Sequence, residues 1–263
     1  MNDNLELLAL KLTKADIRSI ACPLIDAYEV SHSEAVKKLR GIEFNHFYEA
    51  VIKPKYGIEI IEDYQLRPSI EGIPRLGTYN IPNNFAVIAI ETSDPRRDWT
   101  LYHEVVGHGL LHGPYFRRKF NELLLNTEID VTEVSISSAA IGEIEKQANY
   151  LASLISAPLK YVKFHIIRTF GLHVTRRPIH FVGPREYSLD VNGRSVKYEV
   201  ESYHDLCVIV AKKIRPYFGG LSFESLAYRV AETHLVSNKS QNPYFGHYKN
   251  SHSKSLELDR LAI

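Results

Sequence analysis

Hydrophobic positions change their spacing along this chain, and the changes predict an α+β fold. In residues 4–53 apolar side chains recur every three or four positions, as at Phe44, Phe47 and Val51, which is typical of amphipathic helices. From Gly57 to Thr92 the apolar residues form short β-branched runs separated by Pro and Gly, as the strands of a small sheet do. Helical spacing returns after that sheet.

The predicted elements of the first half are bounded by proline. We expect the last helix of the front end to stop before Pro54, because the residue before a proline avoids helical dihedrals. The run Phe85–Thr92 has two interpretations: an edge strand that holds an extended peptide by backbone hydrogen bonds, or a buried central strand. Ser33 is a candidate N-cap for the segment that follows it.

The second half predicts a C-terminal extension. Residues 186–200 alternate in polarity on both sides of Asn192-Gly193, which indicates a β-hairpin with a type I′ turn. Helices are expected at 204–218 and at 222–236, the latter with Ser222 as N-cap. The predicted division is therefore a core with a helical front end over 1–160, an extension over 161–236, and a polar, flexible tail over 237–263.

Composition narrows the function classes only slightly. The formal net charge is +1, which gives no general argument for nucleic acid, and no recognition helix rich in Arg, Gln and Asn stands out at the helical front end. Cys22 and Cys207 lack metal-binding or disulfide-framework spacing. With no apolar stretch of membrane-spanning length and no leader pattern, we expect a cytoplasmic protein that binds neither nucleic acid nor membranes directly.

Candidate chemistry is concentrated in Trp99–His112, whose sequence is WTLYHEVVGHGLLH. A helix with a His-Glu pair and a second histidine on the next turn can offer two imidazoles to one zinc ion and keep a carboxylate beside the attacking water. This interpretation makes His103 and His108 metal ligands and Glu104 the general base. His108 and His112 are an alternative pair, but no glutamate follows His108.

The spacing of the two histidines departs from the usual motif. His103 and His108 are five residues apart rather than four, so a regular α-helix would place them roughly 140° apart around its axis. A single wide π-type turn absorbs one extra residue and would realign them. Gly107 makes that distortion inexpensive. A third ligand is then needed, and the predicted helix at 143–158 offers glutamates for it.

Three blocks of this chain resemble the ImmA/IrrE family of metallopeptidases. The first is Trp99–His112, similar to FTLAHELGHLLLH. The second is EKQANYLASLISAP at Glu145–Pro158, similar to E-x-x-A-N-x-F-A-x-x-L-L-x-P. The third is SFESLAYRV at Ser222–Val230, similar to S-x-x-A-x-x-x-R-L. The inserted residue between the histidines is the main departure, and it matches the HExxxH spacing of some zinc dipeptidyl peptidases.

The resemblance implies a zincin-like metallopeptidase core, with a small sheet beside the active helix. It implies that Glu145 is the third zinc ligand, with Glu143 as the fallback. It also implies a zinc endopeptidase that cleaves a regulatory protein, such as a helix-turn-helix repressor of a mobile element or stress response. The alternative is a sensor or protein-binding scaffold with the same fold, in which the inserted residue has destroyed the metal site.

Further polar residues have candidate roles that the sequence leaves open. A zinc peptidase commonly uses a His or Tyr to stabilise the oxyanion of its intermediate. The candidates for that role are His165, His173, His180 and His204. Other ligands could come from the loop after the active helix, namely Glu128, Asp130 and Glu133. The basic runs Arg96-Arg97 and Arg117–Lys119 are interpreted as solvated charge.

Overall fold

The computed structural model describes residues 6–7, 11–32, 39–63, 66, 76–90, 94–126, 135–136, 138–172, 178–219 and 221–240. Helices and small sheets are mixed in these ranges, so the α+β class is confirmed. The chain forms two compact units, one from 1–31 and 44–155 with 262–263, the other from 32–43 and 156–261. Ser33, Glu128, Asp130, Glu133, His173 and the tail from residue 241 lie outside the described residues.

Within the described ranges, the first unit contains helices, π-helical segments and five short strands. They are β1 Glu6–Leu7, α1 Lys14–Ser31, α2 Phe44–Phe47, π1 Tyr48–Ile52, α3 Lys53–Tyr56, β2 Glu59–Asp63, β3 Gly77–Asn80, β4 Phe85–Ala89, α4 Asp94–Leu101, π2 Tyr102–His112, α5 Gly113–Asn126, β5 Ser135–Ile136 and α6 Ser138–Ser156, the last residue of which belongs to the second unit.

A three-stranded sheet with the order β2-β4-β3 lies beside π2. Strand β4 is central: it pairs parallel with β2 and antiparallel with β3, and its Ala86 and Ile88 are fully buried. Of the two interpretations of this run, the buried central strand is therefore correct. Strand β3 is an edge of the sheet and contacts π2 directly.

The helical front end runs past Pro54, contrary to the expected stop. Tyr48–Ile52 form a π-turn in which the Lys53 N–H donates to the Tyr48 carbonyl, and Pro54 then occupies the first turn of α3. A proline is tolerated at that position because its missing N–H needs no partner there. The helix ends at Tyr56, where Gly57 adopts a left-handed conformation with φ of 57°.

The second unit has the predicted hairpin and helices with shifted ends. Its elements are α7 Leu159–Thr169, β6 Ile179–Phe181, β7 Arg185–Val191, β8 Arg194–Val200, α8 Tyr203–Ile214 and α9 Phe223–Glu232, followed by β9 Val236–Asn238. Asn192 and Gly193 connect β7 to β8 with φ of 51° and 79°, the two positive values that a type I′ turn requires. The Ser222 side chain accepts from the Ser225 N–H as an N-cap.

The last predicted helix is shorter than expected, and the first residues after it form a strand. Helix α9 ends at Glu232 rather than at residue 236, and His234 adopts a left-handed φ of 59°. The Thr233 hydroxyl donates to the Val230 carbonyl, one of the backbone carbonyls in the last turn that lack a full set of partners within the helix. Strand β9 then pairs parallel with β6, so Ser237 and Asn238 belong to a strand rather than to a tail. Within the described ranges, no helix combines the length and apolar character needed to cross a membrane.

Candidate metal centre

The segment Tyr102–His112 is π-helical over its whole length of 11 residues. The expectation of a single widened turn was too small, because the wide winding persists through the segment. The Gly113 N–H, for example, donates to the carbonyl of His108, five residues earlier. In such winding, residues five apart lie on successive turns, as residues four apart do in an α-helix. His103 and His108 therefore project to the same side.

The structure brings His103, His108 and Glu145 together, and these three side chains could hold a metal ion. The two Nε2 atoms are 2.9 Å apart. The Glu145 carboxylate on α6 contacts both rings, with one oxygen 3.1 Å from His103 Nε2 and the other 3.3 Å from His108 Nε2. His103 is buried, whereas 16% of the His108 side chain and 39% of the Glu145 side chain remain exposed. The cluster is therefore reachable from solvent on one side.

Asn149 fixes which nitrogen of His103 faces the cluster. Its amide oxygen lies 2.9 Å from His103 Nδ1, and because that oxygen can only accept, Nδ1 carries the proton. The Nε2 atom of the neutral ring then keeps its lone pair and points toward His108 and Glu145. Hydrogen bonds of this kind orient metal-binding histidines in proteins generally.

The electrostatics of the cluster are those of a coupled acid and base. Burial by itself lowers the pKa of His103, but the hydrogen bond to Glu145 and the charges of Glu104 and Glu145 outweigh it and raise that pKa. Burial by itself raises the pKa of Glu145, but hydrogen bonds from His103 and His108 hold that pKa below its usual range. The carboxylate of Glu145 thus favours a positive charge between the two imidazoles.

Glu104 lies in the same turn as His103 but faces the edge strand. Its side chain is 5% exposed and packs against Gly77 of β3. A Cβ atom placed on Gly77 would be 2.8 Å from Glu104 Cγ, 3.3 Å from Glu104 Oε1 and 2.5 Å from Thr100 Cγ2. Only glycine at position 77 leaves room for this carboxylate.

Gly107 sets the distance between π2 and α6. A Cβ atom at this position would lie 2.7 Å from the Cβ of Ala148 and 2.9 Å from its carbonyl oxygen, closer than real contacts of that kind. The sequence explains Gly107 by its tolerance of a wide turn. In the structure this glycine also lets α6 approach closely enough to present Glu145.

The donor set fits zinc in number and type. Tetrahedral zinc with bonds of roughly 2.0–2.1 Å keeps its donor atoms about 3.3 Å apart, so the two Nε2 atoms, 2.9 Å apart, need to separate by only a few tenths of an ångström. Two imidazole nitrogens and one carboxylate oxygen leave a fourth position, as catalytic zinc sites do. Two lone pairs and an anion that meet at one point are also an arrangement that a cation stabilises.

The remaining candidates that lie in the described ranges do not join this cluster. His112 is buried and its Nε2 lies 3.1 Å from the Gln147 amide oxygen, while burial, together with the charge of His108, lowers its pKa to about 4. Glu143 is exposed and receives a weak hydrogen bond from Gln147. Three oxyanion candidates belong to the second unit and have other contacts there: His165 with the Leu39 carbonyl, His180 with Ser237, and His204 with the Tyr228 ring.

Sequence reasoning missed the roles of three residues on the elements that build or adjoin the cluster. Asn149 could have been found, because it lies four residues after Glu145 and therefore on the same helix face. Gly77 gave no signal, since its role depends on where β3 meets π2. Arg117 was interpreted as solvated charge, but it is half-buried and donates to Tyr79 and Asn84.

No family model, no curated protein and no solved structure gave a significant match to this chain. The resemblance to ImmA/IrrE metallopeptidases therefore stays a prediction from the three sequence blocks.

Proposed function

We propose that this chain is a zinc-dependent endopeptidase. The observation that carries the proposal is the convergence of His103, His108 and Glu145 across a π-helical segment, with Glu104 in the adjacent position. Two imidazoles and one carboxylate from a neighbouring helix are the donors that catalytic zinc sites use. The resemblance described above extends the proposal to a protein substrate of the regulatory type, such as a helix-turn-helix repressor.

The residues of the chain would divide the work as follows. His103, held in one tautomer by Asn149, would bind zinc together with His108 and Glu145. When bound, zinc supplies Lewis-acid chemistry, lowering the pKa of a water molecule and polarising a peptide carbonyl. Glu104 would accept a proton from the attacking water and deliver it to the nitrogen of the departing chain.

Metal analysis and two matched variants test the proposal. Purified full-length protein should contain about one equivalent of zinc and should cut a fluorescently labelled, unfolded casein. Glu104→Gln should keep the zinc and lose the cleavage. Glu143→Gln is the matched control, because this exposed carboxylate on α6 lies outside the cluster, and it should keep both.

Two outcomes would end the proposal. The first is a folded protein that binds no zinc when zinc is supplied. The second is cleavage that survives in Glu104→Gln. The scaffold alternative makes the opposite prediction for the ligands, namely that His103→Ala retains the full biological activity of the chain.

A further inference from the structure

A second polar cluster is centred on Arg117, which lies nine residues after His108, about two helical turns further on. Arg117 of α5 donates from its Nη1 to the Tyr79 hydroxyl at 2.6 Å and to the Asn84 amide oxygen at 2.7 Å. The Tyr79 hydroxyl in turn donates to the same Asn84 oxygen at 2.6 Å. The three side chains form a closed triangle that packs over Gly113.

Contacts with the backbone hold the side chains of Asn84 and Tyr79 in this triangle. The Asn84 amide nitrogen donates to the carbonyls of Tyr56 and Gly57 at 3.1 and 2.9 Å, and Asn84 has a left-handed φ of 57°. The Tyr79 ring lies on the helix backbone, so a Cβ at Gly113 would be 2.8 Å from the Tyr79 hydroxyl. The guanidinium of Arg117 is therefore held in place before any ligand arrives.

In this arrangement Arg117 has no compensating negative charge from the part of the chain that the structure describes. Its two contacts are neutral, and burial raises the pKa of Tyr79 although Arg117 opposes the shift, so the phenol is uncharged near neutral pH. The next two residues differ: Arg118 is exposed, and both Arg118 and Lys119 pair with Glu122. Among the described residues no carboxylate pairs with Arg117, so its charge is available to an anionic ligand.

The unused donors of Arg117 have the geometry that a carboxylate matches. Nη1 donates to both Tyr79 and Asn84, and the Nε–H and Nη2–H groups, which share one edge of the planar guanidinium, have no partner among the described residues. Two parallel N–H donors on such an edge bind the two oxygens of one carboxylate.

We propose that Arg117, fixed by Tyr79 and Asn84, is a binding site for a carboxylate group of a peptide ligand. The location supports a peptide as the source. Strand β3, an edge of its sheet, carries both Tyr79 and Gly77, and Gly77 contacts the proposed base Glu104. Positions 77 and 79 are roughly 7 Å apart along a strand, so an extended peptide cut at Glu104 would bring a carboxylate to Arg117 within about three residues.

This inference deepens the proposed function and rests on it for the position of the cut bond, but the carboxylate site is testable without zinc. The probes are acetylated nonapeptide amides of Ala and Ser in which one Glu is moved through the sequence, with a matching set that carries Gln. A third set ends in a free carboxylate instead of an amide, which distinguishes the chain end from an acidic side chain. Binding is measured by ligand-observed NMR on full-length Glu104→Gln protein, with and without zinc.

We expect one position or end group at which the carboxylate peptide binds at least about tenfold more tightly than its neutral counterpart. Arg117→Gln should remove this preference. Arg118→Gln, the loss of a neighbouring charge that is already paired, should preserve it. Tyr79→Phe keeps the ring over the helix and removes one anchor, so it should reduce the preference without disturbing the fold, and it serves as the test if Arg117→Gln fails to fold.

The inference is overturned if no carboxylate peptide binds better than its neutral counterpart. It is equally overturned if the preference survives in Arg117→Gln, survives undiminished in Tyr79→Phe, or falls as much in Arg118→Gln. A preference that is present while the chain binds no zinc and cuts no protein would support the carboxylate site and refute the peptidase.

Discussion

His103 and His165 are equally buried, each with about 1% of its surface exposed, yet their surroundings give them opposite properties. His103 of the first unit points one nitrogen at a carboxylate and a second imidazole. His165 of the second unit is stacked on the ring of Tyr217, with centroids 3.8 Å apart, and donates to the backbone carbonyl of Leu39. Its Nδ1 has no hydrogen-bond partner in the described part of the chain.

The pKa values of the two rings shift in opposite directions because Glu104 and Glu145 lie near His103. Burial lowers the pKa of His165, the hydrogen bond to Leu39 opposes this only partly, and the net shift is downward. Burial also acts to lower the pKa of His103, but Glu145 and Glu104 outweigh it, and the net shift of that pKa is upward. Burial alone therefore does not distinguish His103 from a core histidine such as His165. The carboxylate of Glu145, which comes from another helix, does distinguish it.

The largest expected effect separates the two histidines by their response to zinc. At a zinc concentration a thousandfold above its Kd, binding stabilises a folded protein by about 4 kcal/mol. We expect His103→Ala to lose this increment completely, because one of three protein ligands is gone. We expect His165→Ala to unfold about 2–4 kcal/mol more easily, because it leaves a cavity beside Tyr217, and yet to keep the zinc increment.

Urea unfolding of both variants with EDTA or with excess zinc measures this difference. The comparison between the two histidines fails if His165→Ala loses the zinc increment or if His103→Ala keeps it.

The second expected effect concerns the approach of the two helices that build the metal centre. Gly107→Ala places a methyl group 2.7 Å from Ala148 Cβ and 2.9 Å from its backbone, so π2 and α6 must separate. Overpacking of this kind costs about 1–3 kcal/mol, and it also moves Glu145 away from the histidines and weakens zinc binding. Thermal unfolding and zinc titration report the two losses separately.

Gly142→Ala is the matched control on α6. No heavy atom of the described residues outside its own helix surroundings lies within 4 Å of a Cβ placed there. Because alanine favours helix more than glycine does by up to about 1 kcal/mol, this variant should be as stable as the parent or more so. Normal zinc binding in Gly107→Ala would show that the close approach is not needed.

The metal centre shows how far the sequence could be read. The resemblance to ImmA/IrrE metallopeptidases placed Glu145 beside the histidines, and the need for π-type winding between His103 and His108 could be predicted from their spacing along one helix. Gly77 and Arg117 could not, because their roles arise where β3 meets π2 and α5, and no local periodicity encodes that contact. The same limit applies to His165: its sequence neighbours do not reveal that Tyr217 covers it.

The fold shows the same division. The hairpin was predictable because Asn192-Gly193 dictates its turn through local dihedrals. The end of α9 was not, because the residues after Glu232 become a strand only by pairing with β6. A segment whose structure depends on a partner distant in sequence carries no short-range signal of its own.

A third, smaller effect tests the hydrogen bond that orients His103. Asn149→Leu removes the acceptor of the Nδ1 proton, so the His103 ring can turn, or can carry its proton on Nε2 instead of Nδ1. Loss of such a contact typically weakens metal binding about 10–100-fold. Asn149→Asp keeps an acceptor oxygen and should bind zinc at least as well as the parent. Competition with a chromophoric chelator gives both affinities, and equal zinc affinity in Asn149→Leu and the parent would contradict this role.

The smallest effect is a pH dependence whose sign changes with zinc. Without zinc, the pKa of His103 is raised above 6.5, so its stabilising contact with Glu145 is complete below pH 6.5 and is lost as pH rises through the raised value. The pKa of Glu145 is lowered from 4.5, so its contribution is present above pH 4.5 and is lost as pH falls through the lowered value. The contribution of the pair is therefore largest between pH 4.5 and 6.5.

Zinc must displace the proton on His103, so its stabilisation should grow with pH over the range in which the contribution of the zinc-free pair declines. The measurement is the free energy of unfolding from pH 5.5 to 8.5, with EDTA and with zinc. Glu145→Gln provides the baseline, since it abolishes the pair but retains His165, whose lowered pKa costs stability as pH falls below 6.5 in both proteins. Subtracting that baseline should leave a curve that falls with pH in EDTA and rises with pH in zinc. Curves of the same sign would mean that the proton and the metal do not compete for His103.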